Sequence, residues 1–173
     1  MFTVTPELKA KMSARLDALP VDAHALIMAS GIAYDEHALP QGVLSTLRYA
    51  ADRGFTLTVS STLRGRAINQ VCAHALAHLL LHADKFTDNA CHVDAVPGTA
   101  KPFANTDPLT AEDDLRANAL GIEILIPTIA LREAFLYFQG ATKGIAERFG
   151  VPQTLAHQAM VQAKFLDPMA KIA

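Results

Sequence analysis

The segment His74-Ala75-Leu76-Ala77-His78 sets two imidazoles four residues apart. On a helix, positions i and i+4 stand one turn apart on one face, so both rings can reach a single metal ion. With seven histidines in 173 residues, such a pair also arises by chance, and alone it reads as two ordinary helix histidines. A metal centre needs more. A zinc site open to chemistry takes three protein ligands and keeps a fourth position free, so the pair calls for a carboxylate or a third histidine from another element.

The stretch TAEDDLRANALGIEILIP offers the acid. Asp114, Ala117-Asn118, Gly121 and Leu125 fall along one helical stripe, with small residues next to the carboxylate. Small residues let two helices approach closely. Asp114 then either meets a metal or stays in solvent as a first-turn acid suited to the helix dipole. Glu112 and Asp113 lie near enough in sequence to compete for the inward place.

These residues need elements to hold them. Arg66 to Ala83 has the length, alanine content and spacing of a largely buried helix. Thr110, with Asp113 three residues on, resembles a capping box and opens a helix that runs until Pro127. Upstream, Thr5-Pro6 starts a helix running to about Leu19, and a second helix covers Asp22 to Ser30. After the turn-rich YDEHALPQG, Val43 to Arg53 reads as a helix ended by Gly54, and Phe55 to Ser60 alternates as a strand. Asp84 to Leu109 is a long polar connection of the kind that often carries function. Short helices at about Ile129 to Phe138, Lys143 to Phe149 and Pro152 to Leu166 complete the chain.

RGRAINQVCAHALAHLLLH followed by EDDLRANALGIEILIP resembles the ImmA/IrrE metallopeptidases. Their pattern is HExxH with a trailing Leu-His, then an acidic residue, Ala-Asn or Ala-Asp, and a helix ending in a Leu-x-Pro-like step. The tail GIAERFGVPQTLAHQAM is similar to the family's C-terminal segment. The resemblance implies an α+β fold, mainly helical and zincin-like, with a small sheet backing the histidine helix. The short step between Val59 and Arg66 points to a reduced sheet. It further implies Zn2+ held by His74, His78 and Asp114, with aspartate where the family usually has glutamate. The implied activity is endopeptidase action on a protein substrate such as a transcriptional repressor.

Ala75 departs from the pattern. In HExxH enzymes the glutamate takes a proton from the attacking water and passes it to the leaving amine. A methyl group does neither. General acid-base help is worth about 10²- to 10⁴-fold, so turnover should be impaired while metal binding survives. Two explanations fit: a glutamate replaced on purpose to silence the enzyme, or a natural pseudoprotease acting as a partner-binding or toxin-antitoxin module. A third reading is a structural helical domain with incidental histidines.

His82 continues the row of histidines and suits a supporting hydrogen bond or helix end better than ligation. Cys91-His92 has no second Cys/His pair, which disfavours metal ligation, and a transition-state role for His92 is only slightly better supported. Cys72 reads as a small buried apolar residue. The helices around Gly150-Val-Pro look like a helix-turn-helix, but the second carries only Lys164 as a basic residue. Leu136-Tyr-Phe-Gln-Gly resembles part of an expression-tag protease site and is read as native.

Composition agrees. Half the residues are apolar (51%) and 18% are charged, which excludes a disordered chain. A net charge of −2 with scattered basic residues excludes nucleic acid as the direct partner. Two cysteines suggest no disulfide framework, and with no signal core or membrane-spanning run the expected location is cytoplasmic. Residues 1–173 read as one domain, with a core over about 41–138 and C-terminal helices over about 142–166.

Overall fold

The computed structural model describes residues 2–15, 17–99, 101–102 and 104–166. Residue 16 of the expected first helix, residues 100 and 103 of the polar connection, and residues 167–173 lie outside the described residues. The fold is α+β. Among the described residues, seven α-helices surround one four-stranded sheet, and no helix is long and apolar enough to cross a membrane.

The first helix, α1 (Pro6–Ala14), starts as expected, with the Thr5 hydroxyl accepting from Leu8 N. It stops five residues short of Leu19. The next, α2 (Ala23–Ala29), is capped by the Asp22 carboxylate, which accepts from Ala25 N. Three strands follow: β1 (Ala33–His37), β2 (Val43–Ala50) and β3 (Gly54–Ser60). The helix expected over Val43 to Arg53 is therefore a strand and a turn. Val43, Leu44, Leu47, Ala50 and Ala51 mimic helical spacing, but β2 is an inner strand between β3 and β4. Burial does alternate from Val43 to Leu47, but a buried serine at Ser45 and a partly buried leucine at Leu44 hide the period-2 pattern in the sequence.

Helix α3 (Arg66–His82) crosses the sheet's inner face, burying an unbroken run from Val71 to Leu79. Asn69 fastens its start to α2: its side chain donates to Val21 O at 2.8 Å and accepts from Ala23 N at 2.6 Å. The polar connection hides β4 (Cys91–Ala95), flanked by single 3₁₀ turns at Ala83–Lys85 and Ala104–Thr106. Strand order is β1-β3-β2-β4, with β1 parallel to β3 and the other pairs antiparallel.

Helix α4 (Ala111–Leu125) packs across α3, with the capping box of Thr110 and Asp113 formed in both directions. A Cβ on Gly121 would stand 3.4 Å from the His74 backbone, so the stripe of small residues does let the two helices close up. Helices α5 (Thr128–Tyr137), α6 (Thr142–Phe149) and α7 (Gln153–Gln162) follow. Gly150 ends α6 at φ 64°, ψ 31°, a left-handed turn that glycine adopts without steric cost. One hydrophobic core joins α3 and the sheet, through Leu47, Leu57 and Leu76, to the C-terminal helices, through Ile145, Phe149 and Met160.

Candidate metal centre

His74 and His78 point the same way from α3, with their Nε2 atoms 3.0 Å apart. Across the helix crossing, Asp114 sets Oδ1 3.2 Å from His74 Nε2 and 3.4 Å from His78 Nε2. Of the three acids at the start of α4, Asp114 is the one that turns to these histidines. Glu112 pairs with Arg116 on the surface. Asp113 turns to the opposite side of the crossing, where both its oxygens accept from Lys85 Nζ at 2.7 and 2.8 Å and one also accepts from Thr110 N at 2.9 Å. The hydrogen bonds from Lys85 and Thr110 hold the Asp113 carboxyl well below the usual carboxylate range.

His82 belongs to the Asp113 side. Its Nε2 is 3.2 Å from Asp113 O and its Nδ1 is 3.6 Å from Asp113 Oδ1. The third histidine of the row therefore braces the helix crossing.

A fourth donor comes from the sheet. His92 on β4 pairs with Leu47 of β2, which pairs with Leu57 of β3. Directly opposed residues share a sheet face, so His92 lies on the face that carries these core leucines, under α3. Its Nε2 is 3.9 Å from Asp114 Oδ1, and its ring centroid is 4.4 Å from that of His78. His74, His78, His92 and Asp114 each offer one ligand atom, all within 4.8 Å of one another, a group that could hold a metal ion. Sequence reasoning undervalued His92 because strand register is set by partners far along the chain. The same register removes Cys91: adjacent strand residues face opposite ways, and Cys91 packs with Val43 and Val93 in a separate small cluster. Cys72 is buried inside α3. Burial, the largest effect, pushes the Cys72 thiol up to about 12 and also raises that of Cys91.

The electrostatics suit a cation. Burial pushes His78 down to about 4, although its hydrogen bond with Asp114 favours the charged ring. It is thus neutral at neutral pH, the form that binds metals. Asp114 is held far below the usual range, first by hydrogen bonding to His74 and His78, in spite of partial burial. His92 Nε2, His74 Nδ1 and His78 Nδ1 are buried without a hydrogen-bond partner. For four ligands 2.0–2.2 Å from zinc, tetrahedral edges are about 3.3–3.6 Å. The observed separations of 3.0, 3.2, 3.4 and 3.9 Å bracket that range, so these residues fit a metal ion.

Ala75, next to His74, is 3% exposed and packs in the main core. A cleft of about 840 Å³ opens beside His74 and Asp114, lined by residues of β4 and its exit, α3, α4 and α7.

A helix-borne histidine pair, a carboxylate on a crossing helix and a small sheet beneath define a peptidase-type metal fold. The family model for peptidase M78, the IrrE N-terminal-like domain, matches residues 31–160. The chain belongs to this family. No curated protein matches it.

Proposed function

We propose that the chain is a zinc-binding endopeptidase-type module whose general-base position is silenced by Ala75, so that it holds metal and a protein segment but turns substrate over poorly. The observation that carries this reading is the meeting of His74 and His78 with Asp114 across the α3–α4 crossing. Those three residues would hold the ion. Zinc held there with its fourth position open would supply Lewis-acid polarisation of a peptide carbonyl. The chain's own residues do the rest. The cleft offers apolar side chains such as Val71, Val96, Ile122 and Leu155 to an extended segment, and among the described residues no lysine or arginine lines it. That favours a protein segment, such as part of a transcriptional repressor, over nucleic acid. Nothing at position 75 can take or give a proton; Asp114 is engaged by the histidines and Asp113 by Lys85, which leaves Asp94 as the carboxylate lining the cleft without such an ion pair among the described residues.

Elemental analysis of protein purified without added metal tests the reading. One zinc per chain is expected, removed by chelators and absent from His74→Ala and Asp114→Ala. A parent chain that binds no zinc on titration overturns it and leaves a helical globule with incidental histidines.

A second reading, a natural pseudoprotease that binds a partner without cleaving it, is favoured by His92, which adds a fourth donor where a hydrolytic site keeps an open position. Zinc-dependent, chelator-sensitive cleavage of a repressor-type protein by an Ala75→Glu variant would restore the enzyme reading.

A further inference from the structure

We infer that His92, aimed by Asp107, is a fourth protein ligand that completes a four-coordinate metal centre; the inference rests on the metal-binding reading above.

His92 Nδ1 lies 3.1 and 3.0 Å from the two oxygens of Asp107. An ionised carboxylate only accepts, so Nδ1 carries the hydrogen and, in the neutral ring, Nε2 is left as a bare lone pair. That lone pair is buried, has no hydrogen-bond partner and lies 3.9 Å from Asp114 Oδ1. His74 and His78 bring two further Nε2 atoms, 3.0 Å apart. At most one hydrogen can lie between those two nitrogens. Asp114 Oδ1 can accept a hydrogen from either ring, but the bare His92 Nε2 still faces that carboxylate with no hydrogen between them, in a site where His74, His78 and His92 are all buried. Such a group is costly unless a cation joins it.

Asp107 is itself fixed. Its Oδ1 accepts from Leu109 N at 3.0 Å, just ahead of the Thr110 cap of α4. Although burial alone would raise its pKa, its hydrogen bond with His92 holds it below the ordinary value. One short stretch of chain therefore sets both Asp107 and Asp114. A carboxylate behind a ligating histidine is the usual outer support of a metal site, fixing the ring's tautomer and orientation. His74 and His78 have no such support among the described residues, because their Nδ1 atoms are unpartnered. His92 is thus the best oriented of the three rings.

Four protein ligands are the mark of structural zinc sites, whereas catalytic sites use three. A closed sphere agrees with Ala75: a fourth protein ligand takes the position that hydrolysis keeps open, and the glutamate that HExxH enzymes use as base is missing.

Cobalt substitution of the full chain tests this. The parent protein should give the intense visible bands of a four-coordinate ion, unchanged by added azide. His92→Ala should weaken zinc binding by about 100-fold and let azide alter the cobalt spectrum. Asp107→Ala, a change at a positioning residue, should weaken zinc binding by about 10-fold. His92→Cys should retain the metal and add a thiolate-to-cobalt charge-transfer band, a signature that no merely structural role produces. If His92→Ala binds zinc like the parent and His92→Cys shows no thiolate band, His92 is not a ligand, while dependence on His74, His78 and Asp114 leaves the wider reading standing. A parent that binds neither metal overturns both.

Discussion

Asp113 and Asp114 are neighbours in sequence and meet the same row of histidines, yet they end in opposite company. Asp113 is fully engaged: Lys85, the Thr110 cap and His82 surround it. Among the described residues the Asp114 carboxylate meets imidazoles, and one of its oxygens serves both His74 and His78. The first region is a staple, in which each charge meets its complement and the gain is stability. The second leaves like-minded donors converging on one point, an arrangement that stability alone would not select. One helical step separates the two, because successive residues turn about 100° around the axis.

The sharpest way to break the comparison is at Asp114. Asp114→Ala should lower zinc affinity by more than about 100-fold, the top of the range for losing an outer partner. The thermal midpoint of the metal-free protein should also fall modestly, because the hydrogen bonds from His74 and His78 that hold Asp114 ionised are lost with it. Competition with a chromophoric chelator and a thermal melt measure the two.

Acid separates the regions next. In the unfolded chain His78 takes a proton near its ordinary 6.5, whereas burial in the folded protein delays this to about 4. Stability of the metal-free protein is therefore complete above pH 6.5 and declines as pH falls toward 4, by up to ~3 kcal/mol. The Asp113 staple behaves differently. Its folded value is depressed, so its contribution is present above the ordinary carboxyl value of 3.8 and is lost only at lower pH. Urea unfolding of chelator-treated protein between pH 4 and 8 should show the first decline and not the second.

Gly121→Leu would push α4 away from the His74 backbone. Overpacking of this kind costs about 1–3 kcal/mol, and zinc affinity should fall with it because Asp114 travels on the same helix. Smallest is Thr110→Ala, which removes a cap worth about 1 kcal/mol. It should lower the thermal midpoint with zinc stoichiometry kept at one per chain. Loss of the metal in that variant would mean that staple and site are one unit.

What was legible in the sequence follows the distance over which each feature is decided. The capping box and the α3 helix depend on residues within a few positions and can be read from spacing, whereas spacing favours Asp114 as the inward acid but leaves Glu112 and Asp113 open. The stripe of Ala117 and Gly121 announces the close crossing because small residues leave few other uses for a buried helix face. Strand β1, Ala33–His37, is mostly exposed and polar, so nothing in its own composition marks it. It forms because β3 offers a parallel edge twenty-three residues away. His92 was hidden for the same reason: its facing depends on pairing with Leu47, forty-five residues earlier, and its support depends on Asp107 in a loop without local pattern.

The alternation along β4 that turns His92 inward also turns Cys91 outward, which leaves nitrogen and oxygen as the donors of the cluster. Borderline divalent ions such as zinc, cobalt and nickel suit that set, and thiophilic ions such as Cu(I) find nothing soft to grip. Peroxide, which releases metal from thiolate centres by oxidising sulfur, would leave these donors intact, so the centre should keep its ion through oxidative stress.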